Sequence, residues 1–168
     1  MERLSLSFSE SERCARLRKL IDKKPSGSYS VSMSKLKWSD KLSLGAPVID
    51  GQHKQLVQLA NNLISAVRDG EKDVLPAFFE ELMDYTEYHF QDEEMFMADV
   101  EYPDLEEHRG LHDDLRAQVV GYRDLCLSGE CPEADDVVAF MKKWLISHIV
   151  YSDMKIGAFI RKKQGDTM

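Results

Sequence analysis

All five histidines of this 168-residue chain fall on apolar stripes of helical period. Residues recurring three and four positions apart share one face of an α-helix. One such stripe runs His53, Leu56, Ala60, Leu63, Val67. A second runs Phe78, Leu82, Tyr85, His89, Glu93, Phe96, and a third Leu105, His108, His112, Leu115, Val119, Tyr122, Cys126. A fourth runs Val137, Met141, Trp144 or Leu145, His148. Each helix therefore turns its histidines toward a shared interior.

The stops between stripes are short. Gly70 closes a first helix expected from about Gly51 to Arg68, and a second is expected from about Asp73 to Ala98. Tyr102-Pro103 marks a turn, with Pro103 suited to a first helical position. A third helix is expected over about 104–127, ended by Gly129, and a fourth from about Glu133 to Ile149 or beyond, after Pro132. Short connections make successive helices antiparallel. The expected fold is all-α: an antiparallel up-down-up-down four-helix bundle with an extended N-terminal lead-in over residues 39–51.

Residues 1–33 differ in kind. They carry seven Lys/Arg against four Asp/Glu, together with eight serines. Their net of +3, against −8 for the whole chain, leaves −11 on the rest. We expect 1–33 to be a polar, flexible extension that packs little, 34–162 to form the bundle, and 163–168 a short tail. The extension is either a docking arm for a protein partner or the product of an upstream start codon, since Met33 opens a compact start of its own. The acidic balance argues against nucleic-acid binding. No apolar run approaches the roughly 20 residues that span a bilayer, and the N-terminus lacks a secretory h-region. A cytoplasmic protein is expected, with Cys14, Cys126 and Cys131 as reduced thiols. Cys126 and Cys131 flank Ser128-Gly129-Glu130 and could come close enough to oxidise.

One core histidine is ordinarily a hydrogen-bonded structural residue. Five on inward faces would leave many unsatisfied groups unless something satisfies them together. His89 and Glu93 are four apart, as are His108 and His112. Four residues advance a helix by about 400°, so each pair shares a face. His148 and Asp153 are five apart and would stand about 140° from each other on a regular helix. Their convergence requires an end or a bulge between Ser147 and Asp153. Seven ligands are too many for one tetrahedral zinc, and imidazoles with few carboxylates suit iron, copper or nickel. The paired Glu-x-x-His pattern of ferritin-like sites is absent.

These residues resemble the hemerythrins, in particular their bacterial single-domain members. The resemblance covers about Trp38 to Ile160 and is carried by IDGQH (Ile49–His53), YTEYHFQDEE (Tyr85–Glu94), YPDLEEHRGLH (Tyr102–His112) and WLISHIVYSD (Trp144–Asp153). It implies two iron ions in an oxo- or hydroxo-bridged centre. His53 and His89 would hold one iron. His108, His112 and His148 would hold the other, and Glu93 and Asp153 would bridge them. It implies that dioxygen binds reversibly at the two-histidine iron, in a dry pocket whose candidate walls are Phe90, Met97, Trp144, Leu145 and Ile149. Ile156 departs from the aromatic residue some members carry near that end.

Gln52, Glu87 and Glu94 are candidates for accepting histidine N–H groups, with solvated charge the expectation for the two glutamates. An oxygen or redox sensor acting through a separate partner is the alternative function. A peroxidase-type or nitric-oxide-consuming enzyme ranks below it, because no general acid or base stands out beyond the ligands. Iron storage would want a cage and many surface carboxylates.

Overall fold

The computed structural model describes residues 34–71 and 73–165. The extension 1–33, its suggested docking role and Cys14 lie outside the described residues. Helix α1 spans Pro47–Arg68, α2 Leu75–Asp99, α3 Leu105–Leu127 and α4 Ala134–Ser147. A π-helical turn, His148–Asp153, follows α4 and leads into α5, Met154–Gly165. The fourth rod of the bundle is thus α4, the π turn and α5. The architecture is all-α, an antiparallel up-down-up-down four-helix bundle, with no strand among the described residues. Helix α2 packs on α3, and α1 lies against α4 and α2.

Left-handed residues end three of the helices. Gly70 (φ 85°) follows α1 and Gly129 (φ 81°) follows α3. Glu101 (φ 58°) does the same after α2, where the Tyr102 N–H reaches back to the Met97 carbonyl at 2.9 Å. Pro103 and Pro132 each stand two residues before their helix, not at its first position.

The first helix begins at Pro47, earlier than the extended reading of 39–51 allowed. Proline suits a first helical turn because it has no N–H to leave unpaired. Asp50, in that turn, is buried and anchors the lead-in. Its Oδ1 accepts from the Leu44 N–H at 2.7 Å and its Oδ2 from the Ser43 hydroxyl at 2.6 Å. The remaining lead-in is irregular apart from one 3-10 turn at Asp40–Leu42. The Asn61 side chain pins it further, accepting from the Leu36 N–H at 2.7 Å and donating to the Leu36 carbonyl at 2.9 Å.

The core fills the bundle from Leu75 and Val137 at one end to Phe90 and Ile149 near the histidines. At the far end from those histidines, the expectation of reduced thiols fails for two cysteines: Cys126 and Cys131 are joined in a disulfide. The cause is local. Gly129 reverses the chain and the Glu130 N–H bonds the Leu125 carbonyl at 2.9 Å, which returns Cys131 to the end of α3.

Candidate metal centre

Four rods deliver seven side chains to one place. Helix α1 supplies His53, α2 supplies His89 and Glu93, and α3 supplies His108 and His112. His148 and Asp153 open and close the π turn. A π turn hydrogen-bonds i to i+5, so residues five apart meet on one face. The distortion that the spacing demanded is this turn, and His148 Nε2 stands 3.2 Å from Asp153 Oδ1.

The two carboxylates divide the histidines into two groups. Glu93 Oε2 lies 3.2 Å from His112 Nε2 and 3.4 Å from His108 Nε2, while its Oε1 lies 3.8 Å from His53 Nε2. Asp153 repeats the division: Oδ1 faces His148 and His108 (3.5 Å), and Oδ2 faces His53 at 3.3 Å. His112 Nε2 and His148 Nε2 approach to 3.1 Å. Donors about 2.1 Å from one cation and at right angles to each other stand about 3 Å apart. The separations within the three-histidine group therefore match neighbouring ligands of one ion. Two clusters of metal-ligating atoms result, Glu93 with His108, His112 and His148, and Glu93 with His53 and His89.

Every one of the seven is at most 5% exposed. Both oxygens of Glu93 and of Asp153, and the Nε2 atoms of His53, His89 and His108, are buried without a hydrogen-bond partner. So many orphaned atoms, aimed at one another, would be costly in a metal-free core. Cations between them satisfy all of these at once, so the donor set fits a metal pair.

Burial also sets the protonation states. Desolvation lowers the pKa of His53, takes His89 down to about 3, and holds His148 well below its ordinary value. These imidazoles are neutral at pH 7, with a lone pair free for a metal. For Glu93, burial pushes the pKa up, but His108 and His112 beside its Oε2 more than reverse this and keep it an anion. Asp153 goes the other way: burial and then the Glu93 charge raise it well above the ordinary range. Two adjacent carboxylates repel unless positive charge lies between them.

Behind the candidate ligands stand further acceptors. His89 Nδ1 meets Gln52 Oε1 at 3.0 Å, and Gln52 donates to Asp92 at 2.6 Å. His112 Nδ1 meets Glu94 Oε1 at 2.8 Å. The expectation that Glu94 is only solvated charge is wrong. Its side chain is 17% exposed and is clamped between His112, Arg109 and Arg116. The sequence placed Glu94 one residue off the ligand stripe, and only the packing of α3 on α2 brings His112 and the two arginines to it. Glu87 remains a half-exposed partner of Arg116.

The expected pocket residues divide. Phe90 stacks on His112 with ring centroids 3.9 Å apart and meets His148 edge-on at 5.7 Å. Trp144, Leu145 and Ile149 are buried in the same apolar cluster as Phe90, with the Trp144 ring 6.3 Å from it. Met97 is fully buried in a different cluster, with Tyr102 and Ile156. Trp38 was not singled out in the sequence. Its ring lies 6.3 Å from His53, and its indole N–H is buried without a partner. No period or spacing marked it.

Residues 44–160 match the model of the hemerythrin HHE cation binding domain. A bacteriohemerythrin of Pseudomonas aeruginosa is 36% identical over 121 residues, covering 72% of this chain and 78% of that protein. A hemerythrin-like protein of Naegleria gruberi is 30% identical over 122 residues, 73% of this chain and 91% of the other. The crystal structure of a wild-type hemerythrin superimposes with a TM-score of 0.68 at 25% identity, over 74% of this chain and 97% of its own. With the family's cation-binding domain matched across the bundle and the fold shared with a solved member, this chain belongs to the hemerythrin family.

Proposed function

We propose that this chain binds dioxygen reversibly at a centre of two iron ions, as a carrier or store. The observation that carries the reading is the way Glu93 and Asp153 each turn one oxygen to His53 and the other to the three-histidine group. Carboxylates so placed would bridge two ions. His108, His112 and His148 would hold one iron, and His53 with His89 would hold the other.

When bound, two ferrous ions supply the electrons that dioxygen borrows on binding and returns on leaving. The protein's part is asymmetry and dryness. Three imidazoles and two carboxylate oxygens would surround one ion, while two imidazoles and two carboxylate oxygens would surround the other. The second ion would therefore have one protein donor fewer, which would leave room for a small ligand. His89, neutral and with its Nδ1–H committed to Gln52 Oε1, holds no proton at Nε2 to give to that ligand. Phe90, Leu145, Ile149 and Trp144 exclude the water that would carry one in.

The test is an optical titration of the anaerobic ferrous protein with dioxygen, alongside elemental analysis. Two irons per chain and a charge-transfer band that appears with dioxygen and disappears on its removal support the reading. One metal per chain, or prompt irreversible oxidation of every sample, overturns it.

A further inference from the structure

The two ligand groups differ in what stands behind them. On the three-histidine side, His112 Nδ1–H donates to a carboxylate, Glu94 Oε1, at 2.8 Å. On the two-histidine side, His89 Nδ1–H donates to an amide oxygen, Gln52 Oε1, at 3.0 Å. Glu94 is held in place by two guanidiniums. Arg109 Nε donates to its Oε2 at 3.2 Å, and Arg116 Nη2 lies 3.6 Å from its Oε1. Those arginines are shared. Arg109 also pairs with Glu106, and Arg116 with Glu87 at 2.9 Å and Asp113 at 3.0 Å. The surroundings of His112 thus set four carboxylates against two guanidiniums and stay negative. Asp92 stands behind Gln52, but a neutral amide separates it from His89.

A hydrogen bond to an ionised acceptor is shorter and about twice as strong as a neutral one. A carboxylate that accepts the distal N–H of a ligating imidazole raises the basicity of the nitrogen on the metal. A more basic donor favours the higher oxidation state of the iron it holds. We infer that Glu94, acting through His112, is a positioning residue that makes the iron of His108, His112 and His148 the first of the two to be oxidised. This rests on the two-iron reading above. In the step, one electron passes from that iron to an outer-sphere oxidant such as ferricyanide, Fe2+ becoming Fe3+ while the other iron stays ferrous. No protein bond forms or breaks, and the proton stays on His112 Nδ1.

The experiment oxidises the anaerobic ferrous protein by one electron with ferricyanide and reads the exchangeable imidazole N–H resonances by proton NMR. Those on a ferric ion are shifted further than those on a ferrous ion. Iron content is measured on the same samples. The parent is expected to give three ferric-type resonances and two ferrous-type. The double variant Glu94→Gln/Gln52→Glu, which exchanges the carboxylate and the amide, is expected to give two and three. Glu94→Gln alone is expected to keep both irons and to raise the potential of the first oxidation. A merely structural role would lower iron or helix content without reversing the pattern. Parent protein with two irons and the reverse pattern overturns the inference. So does an unchanged pattern in an iron-replete double variant, or an unchanged potential in Glu94→Gln. Fewer than two irons in the parent overturns the two-iron reading, and this inference with it.

Discussion

At the residue scale, adjacent glutamates have opposite duties. Glu93 is fully buried and faces both histidine groups, while Glu94 faces outward to His112 and two arginines. Glu93→Ala is expected to fall below one iron per chain by elemental analysis, because both ion positions lose a shared ligand. Leu145, 2% exposed, lies in the Phe90 cluster three residues before His148. Leu145→Ala is expected to cost about 2–5 kcal/mol in chemical denaturation. It is also expected to keep two irons while its oxygenated form autoxidises several-fold faster by absorbance decay, as water enters the wall. Decay at the parental rate in folded, iron-loaded protein would leave Leu145 a packing residue only.

At the element scale, the π turn and its successor show how closely the ligand end is built. Gly157, in α5, sits against the lead-in: a Cβ there would lie 3.0 Å from Leu44 Cα and 3.1 Å from the Leu44 carbonyl oxygen. These are backbone atoms, and the Leu44 N–H is already committed to Asp50. Gly157→Ala is therefore expected to destabilise the fold by about 1–3 kcal/mol in thermal or urea unfolding, although alanine is the better helix former. A variant as stable as the parent would mean that the lead-in yields freely there. The helices themselves were legible from stripe, glycine and proline, with the ends at Arg68 and Leu127 as expected and the others moved by up to four residues. The start of α1 was missed because Asp50 reads as an ordinary surface charge until the lead-in folds over it. The π turn was legible only as a contradiction: two ligands five apart cannot share the face of a regular helix.

At the scale of the whole molecule, an interior of buried histidines and carboxylates that could hold metal is a burden without it. His53, His89 and His148 are held below their ordinary 6.5 by burial, His89 at about 3. Below pH 6.5 the unfolded chain takes up protons on these residues that the folded chain does not, a window that for His89 reaches down to about 3. Stability therefore rises with pH across that window and is lost as pH falls. Asp153, raised in the fold, opposes this in sign, but it is one group against three. Metal-free protein is expected to show a melting temperature that drops steadily as pH is lowered from 6.5. Iron-loaded protein should drop more steeply, since protons also displace the metal. A flat profile in the metal-free form would count against buried neutral imidazoles.

Sequence alone determined the class of the fold and the inward direction of the histidines. Both follow from local periodicity, in which each residue's face is set by its neighbours three and four positions away. It also determined that something must bend between His148 and Asp153. Tertiary structure decided what stands behind the ligands. It decided that Glu94 supports His112, that Gln52 supports His89, that Trp38 covers His53, and that Met97 belongs to another cluster than Phe90. The first three pairings join residues 15 or more positions apart, and the cluster of Met97 takes in Ile156 from another helix. Their distances come from how one rod rotates and slides on another, and no pattern within a single rod encodes that.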